Sequence, residues 1–278
     1  MIVSLKEILE EAGQRRCAVG AFNTPNLECI VAVLSAADRY RVPVILSHAE
    51  LHEGVAPLDV IGPVMVTMAK RAQVPVCIHL DHCEHLEYMR RALEIGFTGV
   101  MYDGSALPYG ENVENTRTAV DMAAPYGAGV EAEIGTLAAR EGGEGAGTGP
   151  VYTDPALAVR FVEDTGIDAL APSFGTAHGV YRSKPQLDLE RVETIRKLTG
   201  LPLVMHGGSG VSPEDYAAAI DRGIRKVNYY TYMSREGVKA VQQRLEEGEV
   251  TFFHDLAAAA TAAMQRDVEQ AMRVFYRL

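Results

Sequence analysis

The 278-residue sequence predicts an α/β protein built as a closed (β/α)8 TIM barrel, and three observations support this prediction. Eight short β-like runs alternate with longer helical patterns, as expected for parallel strands joined by crossover helices. Several of these runs end in histidine, acid or glycine, so their functional groups would gather at one end of a barrel. The alternative, an open doubly wound sheet, normally carries a Gly-x-Gly-x-x-Gly loop after its first strand, whereas this strand ends in Gly20-Ala21-Phe22-Asn23.

An extra N-terminal helix precedes the barrel. It runs from Ser4 to Arg16, and Ser4 and Glu7 have the spacing of a capping box. The predicted strands are Cys17–Phe22, Pro43–Ser47, Pro75–Leu80, Gly99–Tyr102, Gly129–Ile134, Asp168–Ala171, Pro202–Met205 and Arg225–Tyr229. The helices between them are Asn26–Tyr40, Leu58–Ala72, Glu84–Ile95, Gly110–Ala124, Asp154–Thr165, Leu187–Leu198 and Ser212–Asp221. We predict a single domain over 1–278, whose C-terminal helical extension (about 250–278, with an Ala-rich helix over Leu256–Tyr276) packs on the barrel or on a second subunit.

Composition excludes several classes of function. The net charge of -11 leaves no cationic surplus for non-specific nucleic-acid binding, and an anionic substrate would need a local site. We find neither an apolar run of the roughly 20 residues that span a bilayer nor a signal-peptide core at the N-terminus. Cys17, Cys29, Cys77 and Cys83 form no close pair motif, so we predict reduced thiols in a cytoplasmic protein without membrane or nucleic-acid partners.

Three predicted strand ends each carry a histidine: His82, His178 and His206. Three imidazoles with an open coordination position are typical of catalytic zinc, so we predict that they bind Zn²⁺ or another divalent metal. His79, His82 and His85 would share one face of a helix, but the apolar run before His79 favours a strand. His79 is therefore predicted to be a core or supporting group, and surface or packing roles are predicted for His48, His52, His85 and His254.

Acidic residues accompany these strand ends. Asp81 lies beside His82, where it would either orient a ligand or transfer a proton to and from a metal-bound substrate. Asp103 and Glu133 follow or end the fourth and fifth strands at the same edge. For these two residues, solvated surface charges are the alternative interpretation.

Glycines and hydroxyl groups after the last two strands predict an anion site. His206-Gly207-Gly208-Ser209-Gly210 leads into a helix with Pro213 in its first turn, and its glycines let backbone N–H groups approach a phosphate. A plain turn would also explain the glycines, but the eighth strand ends nearby in Asn228-Tyr229-Tyr230-Thr231, where Thr231 is predicted to cap the next helix. Loops after strands seven and eight are the usual phosphate position in this fold.

One connection interrupts the alternation of strands and helices. Gly135 to Tyr152 is glycine-rich, has no hydrophobic period and follows the fifth strand. A loop of this length is usually disordered or a functional lid, and its place at the site end of the barrel favours a lid.

Together these segments resemble the class II, zinc-dependent fructose- and tagatose-bisphosphate aldolases. The resemblance runs in order over residues 1 to about 235. The matching segments are Gly20-Ala21-Phe22-Asn23, His79-Leu80-Asp81-His82, Tyr102-Asp103-Gly104-Ser105, Glu131-Ala132-Glu133-Ile134-Gly135, Gly175-Thr176-Ala177-His178-Gly179, His206-Gly207-Gly208-Ser209-Gly210 and Asn228-x-x-Thr231.

The resemblance implies a TIM barrel that cleaves a ketose (bis)phosphate reversibly to dihydroxyacetone phosphate and an aldehyde. It implies zinc on His82, His178 and His206, Asp81 as the proton shuttle, and Asp103 and Glu133 at a second metal position. A lid acid, Glu144 or alternatively Glu141, would protonate the resulting carbanion. Substrate-binding residues are predicted to be Asn23, Gly179, Arg182, Gly207, Gly208, Ser209, Asn228 and Thr231. A monovalent cation often assists this family, and a homodimer or homotetramer is implied.

Several positions depart from the family pattern. Ala49 stands where Ser is common, Ala106 where His is common and Arg182 where Lys is common. The C-terminal part lacks the Asp-Pro-Arg-Lys type of segment whose arginine holds the far phosphate. We therefore expect the triose phosphate half of the substrate to be retained and the aldehyde half to differ from a simple sugar phosphate.

Other functions fit less well. A Schiff-base aldolase needs a lysine at a strand end, whereas Lys226 lies near the start of its strand. A metal-dependent hydrolase barrel normally begins with a His-x-His pair, which the first strand lacks. An inactive binding barrel is disfavoured by the retained Asp81 and three histidines, and an aldolase acting on another ketose remains an alternative.

Overall fold

Eight parallel strands close into a barrel in the computed structural model, which describes residues 1–135, 152–181 and 183–278. Each strand pairs with the next one, and β8 pairs with β1, so the predicted (β/α)8 barrel is confirmed. The strands are β1 Val19–Asn23, β2 Val44–Ala49, β3 Val76–Cys83, β4 Gly99–Tyr102, β5 Gly129–Ile134, β6 Ala169–Pro172, β7 Leu203–Met205 and β8 Ile224–Tyr229.

Helices surround this barrel and cover its strands. They are α1 Leu5–Arg15, α2 Leu27–Tyr40, α3 Leu58–Arg71, α4 Leu86–Ile95, α5 Tyr109–Ala123, α6 Pro155–Thr165, α7 Leu189–Thr199, α8 Pro213–Asp221, α9 Thr231–Glu246 and α10 Phe253–Tyr276. The strands are buried on both faces because the helices cover one side and the barrel core covers the other.

The predicted helix boundaries depend on local capping. Ser4 caps α1 in a complete capping box with Glu7, and Pro213 occupies the first position of α8, as the sequence predicts. Thr231 is itself the first residue of α9, and Tyr230 holds the N-cap position without a side-chain cap. The predicted capping role of Thr231 is therefore wrong by one residue.

Helix α1 closes the N-terminal end of the barrel. The Leu5 amide donates to the Thr98 carbonyl over 3.1 Å, and its side chain is fully buried. A Cβ atom on Gly99 or on Gly129 would stand 3.0 Å from Leu5 Cβ, so both glycines allow the helix to approach closely. The opposite, C-terminal end of the barrel is left for the site.

Helix α10 packs against α2 and α9 on the outside of the barrel. Phe275 is buried and its carbonyl accepts a hydrogen bond from the Ala18 amide over 3.0 Å. The predicted role of this helix in a subunit contact stays a prediction, as does the single-domain boundary. The four cysteines are free and buried, and the described helices include none with the length and apolar character of a membrane span.

Candidate metal centre and active site

Three imidazoles from three different strand ends meet at the C-terminal end of the barrel. His82 Nε2 lies 3.3 Å from His178 Nε2 and 2.9 Å from His206 Nδ1. Among the described residues, two groups have ligand atoms close enough to hold a metal ion. One is formed by these three histidines, and the other is formed by His82, Asp103 and Glu133. Nitrogens on a tetrahedral zinc ion are about 3.3 Å apart for bond lengths of about 2.0–2.1 Å, so the spacing fits such an ion.

The geometry of His82 depends on an irregularity in β3. Successive side chains of a regular strand point to opposite faces, so Asp81 and His82 could not both reach the site. The register between β3 and β4 shifts between Leu80 and Cys83, and His82 has the left-handed φ of 45°. This local bulge turns the His82 ring toward the site beside Asp81.

In two of these rings, the nitrogen that faces away from the other histidines lies beside a carboxylate. His82 Nδ1 lies 2.8 Å from Asp103 Oδ2, and His206 Nε2 lies 2.7 Å from Glu131 Oε1. Such carboxylate partners fix the ring and leave the other nitrogen for a metal. The donor set therefore fits the divalent metal that the sequence predicts.

The pKa values of these groups follow from burial and neighbouring charge. Burial lowers the pKa of His82, but Asp81 and Asp103 outweigh burial and raise it to about 9. The pKa of His206 is lowered, first by burial and then by the nearby His82 charge. Burial raises the pKa of Glu131, but Lys226 and the His206 hydrogen bond hold it at about 2.

Asp81 is held by two amides. Asn23 Nδ2 donates to Asp81 Oδ2 over 3.2 Å, and Asn228 Nδ2 donates to Asp81 Oδ1 over 2.9 Å. Burial by itself raises the pKa of Asp81, yet the charges of His82 and Lys226 keep that pKa well below its ordinary value. Asp81 is therefore an ionised, oriented carboxylate beside the three imidazoles.

The predicted anion loop is built from interlocked backbone. Gly207 has φ 63°, and a Cβ there would stand 2.3 Å from the Ala177 carbonyl oxygen, so only glycine fits between the loops after β6 and β7. The Tyr181 hydroxyl ties the same two loops, since it accepts from the Ala177 amide and donates to the Gly207 carbonyl, both over 2.8 Å. Ser209 Oγ accepts from the Tyr230 amide over 3.0 Å, which joins the third loop.

Most of the predicted substrate-binding residues line one cavity of about 430 Å³ beside the three histidines. These are Asn23, Gly179, Gly207, Ser209, Asn228 and Thr231, together with Asp81, His82 and His178. Gly208 lies against β8, where a Cβ would meet Val227 Cγ1 at 2.6 Å. Arg182, Glu141 and Glu144 fall outside the described residues.

The other wall of the cavity comes from Ala49 at the end of β2 and from the loops after β2 and β3, where sequence reasoning assigned no site residue. It is formed by Ala49, Glu50, Leu51, Glu84 and His85. Glu50 Oε1 lies 2.6 Å from His85 Nδ1, while its Oε2 accepts from the backbone amides of Glu84 and His85. His85 is exposed at the surface, as predicted, and it also lines the cavity.

Sequence reasoning also missed Glu131 and Lys226 as neighbours of the site. Lys226 Nζ lies 2.8 Å from Glu131 Oε2 and donates to Asn228 Oδ1 over 2.8 Å. Both residues stand two positions before a predicted site residue of the same strand, Glu133 or Asn228. Residues two positions apart on a strand face the same side, so this spacing could have identified both residues from the sequence.

Comparison with known proteins agrees with this geometry. The family described as fructose-bisphosphate aldolase class-II matches residues 3–277. The chain is 41% identical to fructose-bisphosphate aldolase of Geobacillus stearothermophilus, over 88% of this chain and 86% of that one. It is 36% identical to the uncharacterized protein YdjI of Escherichia coli K12, over 97% and 96% of the two chains.

Solved structures show the same likeness. The crystal structure of the YdjI aldolase from Escherichia coli K12 superposes with a TM-score of 0.89 at 34% identity, covering 99% of this chain and 97% of that one. A putative fructose-1,6-bisphosphate aldolase from Coccidioides immitis gives 0.87 at 31% identity, covering 98% and 95%. The chain therefore belongs to the class II fructose-bisphosphate aldolase family and is an aldolase, a lyase of a metal-dependent family.

Proposed function

We propose that this aldolase cleaves a ketose 1-phosphate reversibly to dihydroxyacetone phosphate and an aldehyde that carries no phosphate. The main support for an aldolase reaction is the cluster of His82, His178 and His206 beside the ionised Asp81, at the floor of the cavity. Three imidazole ligands with an open coordination position are typical of catalytic zinc, so we propose zinc as the metal.

Asp81 is the group that moves the proton. In cleavage it would accept the hydroxyl proton on C4 of the ketose, after which the C3–C4 bond breaks and the aldehyde leaves. Asn23 and Asn228 hold both carboxylate oxygens, so the carboxylate keeps one orientation. A divalent metal on the three histidines would supply Lewis-acid stabilisation of the negative charge left on the triose.

The phosphate of the triose belongs, on this proposal, in the loops after β6, β7 and β8. Gly179, Gly207, Ser209 and Thr231 line that side of the cavity. The interlocked glycine backbone allows N–H groups to approach an anion. A monovalent cation would assist there, and Arg182 would contribute a positive charge.

Charge on the opposite wall supports an aldehyde without phosphate. Glu50 and Glu84 line this wall, whereas the wall proposed for the triose phosphate presents Gly179, Gly207, Ser209 and Thr231, which carry no carboxylate. A terminal phosphate dianion would meet carboxylates here in place of a cationic partner. Glu144, or else Glu141, is proposed as the acid that returns a proton to the triose carbon.

Kinetics with two kinds of substrate test this function. We expect the purified enzyme to cleave fructose and tagatose 1,6-bisphosphates poorly and to condense dihydroxyacetone phosphate with an unphosphorylated polyhydroxy aldehyde efficiently. A chelator should abolish both reactions, and added Zn²⁺ should restore them. Efficient cleavage of either bisphosphate would refute the aldehyde assignment, whereas chelator-resistant activity would refute the metal.

We also propose that the enzyme works in the cytoplasm as a homodimer or homotetramer. Four buried thiols without a disulfide suit a reducing compartment. Phe253, at the start of α10, is 81% exposed and Phe252 is 59% exposed, which suits a contact between subunits.

A further inference from the structure

A buried layer of polar side chains lies inside the barrel, below the proposed active site. Its members sit two positions before a site residue on the same strand and so point to the same face. They are His79 before Asp81 on β3, Glu131 before Glu133 on β5, and Lys226 before Asn228 on β8. All three have 0% exposed surface.

Glu131 determines which nitrogen of His206 carries the proton. Its Oε1 lies 2.7 Å from His206 Nε2, and a carboxylate accepts hydrogen bonds only. His206 Nε2 must therefore be the donor, which leaves the lone pair of Nδ1 directed toward His82 Nε2, 2.9 Å away. This is the tautomer that a metal shared by the three rings requires.

Lys226 determines the orientation of the Asn228 amide. Its ammonium group donates hydrogen bonds only, so the amide oxygen of Asn228 must face it, at 2.8 Å. The amide nitrogen is then directed to Asp81 Oδ1, at 2.9 Å. The orientation of the proposed base therefore depends on the charge of Lys226.

One ion pair joins these two effects. Lys226 Nζ lies 2.8 Å from Glu131 Oε2, and His79 Nε2 lies 3.5 Å from the same oxygen. Space for the His79 ring comes from Gly99, where an added Cβ would stand 2.8 Å from His79 Cδ2. Both side chains are fully buried, so removing one charge leaves the other without its closest ionic partner and without access to water.

We propose that Glu131 and Lys226 form a positioning pair that sets the metal-binding tautomer of His206 and, through Asn228, orients Asp81. The inference rests on the proposed function for its description of Asp81 as a base. Neither residue contacts the substrate cavity directly, so both act through the side chains above them.

Glu131→Gln tests the tautomer. The oxygen of the new amide is drawn to the Lys226 ammonium, so its NH₂ group faces His206 Nε2 and moves the imidazole proton to Nδ1. We expect ¹⁵N NMR of the metal-free, histidine-labelled protein to show this change. Zinc affinity, measured by competition with a chromophoric chelator, should fall roughly 10- to 100-fold. Glu269→Gln, at a buried acid paired with Arg39 on the outside of the barrel, is the matched control and should change neither readout.

The charge-neutral double variant Glu131→Gln/Lys226→Met separates the two effects. Without the ammonium, the amide introduced at position 131 is free to present its oxygen to His206, so zinc affinity should recover relative to the single variant. The kcat should stay roughly tenfold below wild type because Asn228 has lost its orienting partner. This variant also keeps the test valid if the single variant does not fold, since it leaves no unpaired buried charge.

Wild-type zinc affinity with an unchanged His206 tautomer in Glu131→Gln would overturn the proposal. So would an unchanged kcat in the double variant. Both the tautomer and zinc affinity are measured without substrate. A wild-type protein that binds zinc but cleaves no ketose phosphate would therefore contradict the proposed function and leave the tautomer result intact.

Discussion

The two walls of the cavity are built by different means. On the proposed triose wall, the loops after β6 and β7 pack backbone to backbone at Gly207, and the hydroxyl groups of Tyr181 and Ser209 bond to backbone groups of neighbouring loops. On the proposed aldehyde wall, the loops after β2 and β3 meet through one carboxylate, that of Glu50, which contacts the His85 ring and accepts from the Glu84 amide. A close backbone contact that only glycine permits tolerates little change, whereas a contact made by one carboxylate can be replaced, so the first wall suits the shared chemistry and the second suits substrate choice.

The largest effect is expected at the proposed base, Asp81, which lies between the walls. Asp81→Asn removes the proton acceptor but keeps a similar shape, so kcat should fall by about 10²–10⁴-fold. Zinc content of the purified variant should stay near that of wild type, because Asp81 is not among the three proposed metal ligands. Steady-state kinetics and metal analysis on the same preparation check this, and a variant with unchanged kcat would contradict the assigned base.

Metal binding should depend on pH through His82. Its pKa of about 9 in the metal-free protein means that the ring is protonated at neutral pH and must lose its proton to bind a cation. Apparent zinc affinity should therefore rise by about tenfold per pH unit between about pH 6 and 8. Asp103→Asn removes one cause of the raised His82 pKa, so the zinc affinity should stop rising and level off at a lower pH than in wild type. Affinity that is constant over this range would count against the site.

Gly207→Ala should damage the triose wall through its backbone. The positive φ of 63° and the 2.3 Å approach to the Ala177 carbonyl predict a loss of about 1–3 kcal/mol in the free energy of unfolding. The KM for dihydroxyacetone phosphate should rise in parallel. Gly110→Ala, in α5 with no heavy atom within 4 Å of the new Cβ, is the control and should be neutral or slightly stabilising in urea denaturation.

The smallest effect is expected on the aldehyde wall. Glu50→Gln weakens the hold on His85, so the KM for the aldehyde in the condensation direction should change by up to about tenfold. The KM for dihydroxyacetone phosphate should not move. Glu53→Gln, at an acid bonded to Tyr88 and the Leu58 amide, is a nearby control for which both KM values should be unchanged. An equal change in both KM values for Glu50→Gln would remove the distinction between the walls.

The sequence predicts this molecule best where the periodicity is strong. All eight strands and the convergence of His82, His178 and His206 follow from the alternation of elements, because parallel strands end at the same edge. The bulge at His82 has no comparable signal, since a left-handed backbone is uncommon for residues other than glycine and no glycine or helix end marks this position. The Glu50–His85 contact joins residues from two separate loops, so no local pattern could predict it.

The left-handed backbone at His82 also limits how this protein can change. A residue with a Cβ atom in that conformation costs of the order of 1–3 kcal/mol, which the surrounding strands must offset. Selection for heat resistance would favour glycine or a regular strand at position 82, but either change discards the imidazole or turns it away from its two partners. Stabilising substitutions that preserve the site are therefore expected at other positions, such as those on the outer helices.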